Sequence, residues 1–248
     1  MYRNIIRTCW NKAAFAKMRL YEFLRNISFF FRAPISPYDF GYSYRSSFIL
    51  HNFTSKDAVL DIGSGGCPFP HATILADRFI EPTCHRTAKF ISDGRPVVIC
   101  DIHQLPFRNK SFDYLVCSHV LEHIDNPIKA CEEIQRVSNA GYIETPSFLK
   151  DALFAWAHGM HKWHVVSIKN CLVFFEYTER QSEGIRGSEW REIIFGDHYH
   201  PLQQSFANNQ DIFNVLFEWK DSFDVLVMRL DGTVEYSRYQ GNFHLKDS

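Results

Sequence analysis

Between about residues 58 and 147 the chain alternates short apolar runs with polar stretches. Ala58-Val59-Leu60-Asp61-Ile62, Ala72-Thr73-Ile74-Leu75-Ala76, Pro96-Val97-Val98-Ile99-Cys100, Phe112-Asp113-Tyr114-Leu115-Val116-Cys117-Ser118 and Gly141-Tyr142-Ile143-Glu144 are the runs. Segments of that length, apolar at consecutive positions, predict strands buried on both faces, as in a parallel sheet. Between the fourth and fifth, Ile128, Ala130, Cys131, Ile134 and Val137 recur at helical spacing, and Asp125-Asn126-Pro127 is a helix-start signal. Strands alternating with helices predict an α/β architecture: a Rossmann-like, mostly parallel, doubly wound sheet. Further helices are expected at Ser46–Phe53, at Lys150–His158 and from Thr178, where Gln181 completes a capping box. Phe213–Trp219 and Phe223–Leu230, separated by Lys220-Asp221-Ser222, predict an antiparallel C-terminal hairpin.

Ahead of this region, residues 3–32 contain neither Gly nor Pro. Ile6, Trp10, Ala13, Leu20, Leu24, Ile27 and Phe31 recur three or four apart, which predicts an amphipathic helical extension. Seven Lys or Arg face only Glu22 there, a net of +6. The preferred reading is a helix that covers one end of the domain; the competing one is peripheral contact with an anionic membrane surface. Residues 33–44, with Pro34, Pro37 and Gly41, form a linker. The organisation expected is therefore 1–45 for the helix and linker, and 46–240 for one domain with an insertion at about 148–210.

The 248-residue chain is 46% hydrophobic and 22% charged, which excludes a disordered or fibrous protein. A net charge of -1 argues against a nucleic-acid partner held by bulk electrostatics. Seven cysteines at irregular spacing, none in a Cys-x-x-Cys pair, fit a reducing compartment and hence a cytoplasmic location. No run approaches the roughly 18–20 apolar residues of a membrane span.

The chemistry concentrates at strand ends. Asp61-Ile62-Gly63-Ser64-Gly65-Gly66 closes the first strand, Asp77 the second and Asp101 the third. Glycines there let the backbone turn sharply beside a ligand, and ligands of parallel sheets bind beyond the carboxyl ends of the strands. Five motifs, in order, are Val59–Gly65, Asp101-Ile102-His103-Gln104-Leu105-Pro106-Phe107, Ser111-Phe112-Asp113, Ser118-His119-Val120-Leu121-Glu122-His123 and Thr145-Pro146. Together they resemble the type 11 subgroup of class I S-adenosylmethionine-dependent methyltransferases, over about residues 57–147.

That resemblance implies S-adenosylmethionine as cofactor. Asp61, Gly63, Ser64 and Gly65 would contact its amino-acid part, Asp77 the ribose, Asp101 and the Ile102 backbone the adenine. Ser118 and His119 would lie beside the methionine portion, while Glu122 and His123 would brace the loop. Two departures stand out. Cys67-Pro68-Phe69-Pro70 replaces most of the helix expected after the glycine turn. That disfavours a dinucleotide, whose pyrophosphate relies on a helix N-terminus. The second is 81–95, which lacks helical periodicity.

On the acceptor side, the candidates for catalysis are His119, Glu144 and His164, with His161 nearby in sequence. Glu144 is suited to orienting the acceptor or taking its proton. Histidines at 158, 161, 164, 198 and 200 divide between acceptor binding, metal ligation and ordinary packing; no metal ligand is assigned. Trp156, Trp163, Phe174, Phe175, Tyr177, Trp190 and Tyr199 could line an acceptor pocket but suit a core equally. The expected activity is methyl transfer to a small-molecule, glycan or lipid-intermediate acceptor. The alternative is a methyltransferase-like protein that binds the cofactor or a partner without turnover.

Overall fold

A computed structural model describes residues 54, 56–83, 89–154, 160–178 and 209–238, with backbone alone at 153 and 154. The expected helices at 3–32, 46–53 and 178–181 lie wholly or mostly outside these residues. So do His158, His198, His200, Cys84, His85, Trp156, Trp190 and Tyr199.

The first five strands are β1 (Val59–Ile62), β2 (Ile74–Asp77), β3 (Val97–Ile99), β4 (Tyr114–Ser118) and β5 (Ala140–Pro146). They pair in parallel, and β8 (Asn214–Lys220) closes the sheet antiparallel to β5, in the order β3-β2-β1-β4-β5-β8. This is the expected mostly parallel Rossmann-like sheet. Side chains alternate between its faces as strand geometry demands. Leu60, Ile62, Leu115, Cys117 and Ile143 face one apolar cluster; Val59, Leu75, Tyr114, Val116 and Tyr142 face the other.

Helix α1 (Pro127–Val137) begins where the sequence places it. The Asn126 side chain accepts from Lys129 N–H, Pro127 occupies the first turn, and Ala130, Cys131, Ile134 and Val137 are fully buried. The Lys110 ammonium donates to the Gln135 and Ser138 carbonyls (both 2.8 Å), satisfying the far end of the helix. Glu133 and Arg136 on its outer turns clamp the 105–109 loop. Glu133 accepts from Leu105 N–H (2.7 Å), and Arg136 donates to the Leu105 and Phe107 carbonyls (2.9 and 2.8 Å). Helices α2 (Phe148–Phe154) and α3 (Gln210–Phe213) are short.

Residues 63–73 run as turns, so the Cys67–Pro70 segment does replace the helix after β1. Phe69 and Ala72 from that segment cover the second apolar cluster instead.

The C-terminal strands pair differently from the sequence expectation. β8 and β9 (Asp224–Met228) do not pair with each other: β8 joins β5, while β9 joins a second sheet. That sheet has the order β10-β9-β7-β6, built from β6 (Trp163–Ile168), β7 (Cys171–Glu176), β9 and β10 (Val234–Arg238). Phe217 and Trp219 on β8, and Phe223, Val225 and Val227 beyond the turn, all enter one core. Burying both sets against the same cluster requires the chain to pass from one sheet to the other. The antiparallel C-terminal hairpin is β9–β10. The β6–β7 hairpin was missed, although Lys169-Asn170 separates two β-rich runs; Lys169 adopts φ 55 at that turn.

Candidate active site

The turn after β1 is the tightest point of the site. Gly63 (φ 72) and Gly65 (φ 49) both occupy the left-handed region. A Cβ on Gly63 would stand 2.2 Å from Val120 Cγ2, so only glycine lets the turn pack directly on the segment after β4. Gly63 N–H donates to the Ala76 carbonyl (2.8 Å), and Gly65 N–H to Asp77 Oδ2 (3.0 Å). Asp77 Oδ1 also accepts from Phe79 N–H (2.9 Å). Asp61, buried, accepts from Phe69 N–H (2.7 Å) and pins the far side of the loop. Asp101 Oδ1 meets the backbone N–H and the ring Nδ1 of His103 (2.9 and 2.6 Å), and Oδ2 faces Arg78 (3.3 Å). Burial pushes the Asp101 carboxyl up, but the His103 and Arg78 contacts outweigh it and lower its pKa. Ile102 is buried in the core. Each acid expected at the cofactor therefore also holds a turn at a strand end.

Ser64 and Ser118 lie at the ends of β1 and β4. The hydroxyls of both are buried without a hydrogen-bond partner among the described residues. Buried polar atoms ordinarily find partners. Two such hydroxyls beside a glycine turn suit the amino and carboxylate groups of a methionine moiety.

Beside this turn, the register pairs Ser118 on β4 with Glu144 on β5. The next residue, His119, adopts φ 55, which is uncommon for a side-chain-bearing residue and directs attention to its surroundings. Its backbone N–H donates to the Glu144 carbonyl (2.8 Å). Its ring lies between two carboxylates: Nε2 is 3.1 Å from Glu144 Oε1, and Nδ1 is 3.2 Å from Glu122 Oε1. Lys150 Nζ stands 3.4 Å from the same Nε2 and donates to Asn214 Oδ1 (2.6 Å). Tyr142 donates to Glu144 Oε2 (2.8 Å). Glu144 is 5% exposed, whereas the His119 side chain is 33% exposed, so the histidine is the member that an acceptor can reach.

A second cluster adjoins the first through Glu122. His161 Nδ1 is 3.0 Å from Asp151 Oδ2, which also accepts from Tyr177 OH (2.9 Å). His123 Nδ1 lies 3.0 Å from the Met160 carbonyl, and its ring meets His161 edge to face at 4.7 Å. Burial pushes the Glu122 carboxyl up, but the His119 hydrogen bond and the surrounding histidine charges outweigh it and hold it at about 2. Burial likewise opposes charge on His161, yet the Asp151 hydrogen bond and the Glu122 charge raise its pKa on balance. Burial and Asp151 push the Tyr177 phenol well up, so it remains a donor.

Among the predicted acceptor residues, the structure brings His119 and Glu144 together. It links His161 to His119 through Glu122. His164 stands apart on β6, its ring against Phe148, Phe175 and Tyr177 (5.5, 6.0 and 6.1 Å between centroids). Burial lowers its pKa against the opposing Asp151 charge, and its Nδ1 has no partner among the described residues. Sequence reasoning missed Lys150 and Asp151, both nearly buried. Their signal was two charges inside Phe148-Leu149-Lys150-Asp151-Ala152-Leu153-Phe154, an otherwise apolar helix.

Residues 60–143 match the type 11 model of the methyltransferase domain. That segment is a methyltransferase domain on a Rossmann-like sheet, and the cofactor of the family is S-adenosylmethionine. An uncharacterized protein of Methanocaldococcus jannaschii is 32% identical over 43% of this chain and 48% of its own length. The chain thus spans about half of that curated relative. Among solved structures, it resembles an S-adenosylmethionine-dependent methyltransferase of Thermotoga maritima (18% identity, 44% of this chain and 53% of that one, TM-score 0.33). It also resembles a Haloferax volcanii methyltransferase solved with its methyltransferase activator (13% identity, 66% and 82%, TM-score 0.39). No helix among the described residues is long and apolar enough to cross a membrane.

Proposed function

We propose that the protein transfers a methyl group to a hydroxyl or amine of a small-molecule, glycan or lipid-intermediate acceptor. The observation that carries this reading is the His119–Glu144 pair, held against the glycine turn by the contact of Gly63 with Val120. When bound, S-adenosylmethionine supplies an activated methyl on its sulfonium. Gly63, Ser64, Gly65 and Ser118 hold its amino-acid end, Asp61 stiffens that loop, Asp77 takes the ribose, and Asp101 with the Ile102 backbone takes the adenine. His119 takes the acceptor proton. Glu144 is the positioning residue: buried, it holds the Nε2 side of the ring while Glu122 holds Nδ1, so a proton taken at one nitrogen leaves the other with a carboxylate partner, as behind a catalytic histidine elsewhere. Lys150 Nζ stands beside Nε2 and donates to Asn214. Phe148 and Leu149, exposed on α2 beside Lys150, give the acceptor an apolar surface. His164 forms the far wall through Phe148 rather than acting on the proton. A cytoplasmic location belongs to the same proposal.

Calorimetry with S-adenosylhomocysteine, against NAD as control, tests the cofactor; labelled methyl transfer to hydroxyl and amine panels tests turnover. His119→Asn is the informative variant, because Asn tolerates a left-handed backbone. It and Glu144→Gln should lower turnover about 10²–10⁴-fold with cofactor affinity unchanged. Turnover unaffected by both variants overturns the assignment of the base. Cofactor binding without turnover on any acceptor favours the non-catalytic alternative.

A further inference from the structure

The segment after β4 and the stretch before β6 are stitched together. Lys162 and Trp163 N–H both donate to the Glu122 carbonyl (2.7 and 3.3 Å), and the Trp163 indole donates to the Ile124 carbonyl (2.7 Å). Lys162 also pairs with Asp125. In this seam Glu122, His123 and His161 each offer one ligand atom, and the three atoms lie within 4.8 Å of one another. Glu122 is 1% exposed, and its Oε2 has no hydrogen-bond partner among the described residues. A buried carboxylate oxygen left so is costly, and a cation would satisfy it.

Both imidazoles are held in the way that ligands are held. Metal-binding histidines commonly donate their second ring N–H to a carboxylate or a backbone carbonyl, which sets the tautomer. His161 Nδ1 has Asp151 as that partner, itself steadied by Tyr177, and His123 Nδ1 has the Met160 carbonyl. With Nδ1–H donated, each ring carries its lone pair on Nε2; that of His123 is 3.8 Å from Glu122 Oε1.

We propose that Glu122, His123 and His161 bind one divalent transition-metal ion of the zinc type. Two imidazoles and a carboxylate offer too few oxygens for calcium and too much nitrogen for magnesium. Three protein ligands with a position left over is an arrangement that zinc accepts. The ion ties the two segments together, one hydrogen bond from His119 through Glu122. Its role is to steady the loop that carries His119, and its binding does not depend on the methyl-transfer reading.

The full chain, stripped with a chelator and titrated with Zn²⁺ at pH 7.5, should take up one equivalent by calorimetry. Co²⁺ should give visible ligand-field bands without thiolate charge-transfer absorption. His123→Gln and His161→Gln should each weaken Zn²⁺ binding at least about tenfold, and Asp151→Asn about 10–100-fold, the typical effect of removing an outer partner. His71→Gln, an exposed histidine elsewhere, should leave it unchanged. No stoichiometric Zn²⁺ uptake, or uptake indifferent to both histidine variants, overturns the site. Should those variants fail to fold, the wild-type Co²⁺ spectrum decides: absent ligand-field bands, or bands of cysteine type, refute it.

Discussion

At the scale of single residues, the site depends on backbone conformations that ordinary side chains avoid. Gly63 and His119 directly follow β1 and β4, both with positive φ, and Val120 fills the space that the missing Cβ of Gly63 leaves. Gly63→Ala would force an L side chain into the left-handed region, at about 1–2 kcal/mol. It would also overpack Val120, at a further cost of about 1–3 kcal/mol. The variant should unfold at lower urea and bind S-adenosylhomocysteine more weakly. Adding Val120→Ala should recover only the part due to overpacking. A Gly63→Ala protein as stable as wild type would show that the turn is not as tight as the geometry states. The glycines and strand-end acids were legible in the sequence because their spacing follows the strand ends. The orientation of Glu144 was not. Its position at the end of β5 could be read, but its burial depends on His119, brought to it from the segment after β4, which no local pattern announces.

Elements were legible where local periodicity and burial agree. Strands β1 to β5 and helix α1 fall within a few residues of the expected spans, since each carries its own apolar pattern and α1 its own cap. The β8–β9 pairing was misread because local alternation indicates a strand but not its neighbour; that choice is made by a core spanning both sheets. The Glu133–Arg136 clamp on the 105–109 loop was likewise invisible, being an i,i+3 pair whose targets are backbone groups. Burial pushes the Glu133 carboxyl up, but the Arg136 hydrogen bond, the Leu105 N–H and the Arg136 and Lys129 charges lower its pKa on balance. A folded-state value below the unfolded one of about 4.3 contributes stability above that pH. The contribution is lost as pH falls through the folded value. Glu133→Gln should therefore lower the urea midpoint at pH 7, and the gap to wild type should close as pH falls below about 4. Equal midpoints at pH 7 would show that the clamp contributes nothing to stability.

For the molecule as a whole, the second sheet is interwoven with the first rather than appended to it. The expected insertion at 148–210 supplies β6 and β7, yet β9 and β10 come from 224–238, after the chain has returned to complete the first sheet with β8. Phe223 sits at the crossing. It is 1% exposed, packs on Phe217 and Trp219 (centroids both 5.3 Å away), and its N–H donates to Gln135 Oε1 of α1 (2.9 Å). One apolar cluster includes β1, β4, β5, β8, α1 and three strands of the second sheet. A shared core of this kind unfolds cooperatively, so we propose that 46–240 behaves as one domain and not as a cofactor module with a separable acceptor module. Truncating a buried Phe to Ala typically costs about 3–5 kcal/mol. Phe223→Ala should therefore reduce the opening free energies of the slowest-exchanging amides in β1 and β4 and in β7 and β9 by the same amount, read by native-state hydrogen exchange. If the β7 and β9 amides open at a lower free energy in the wild type, or only they respond to the substitution, the second sheet is an independent unit. Closure of the acceptor side could then occur without loosening the cofactor strands.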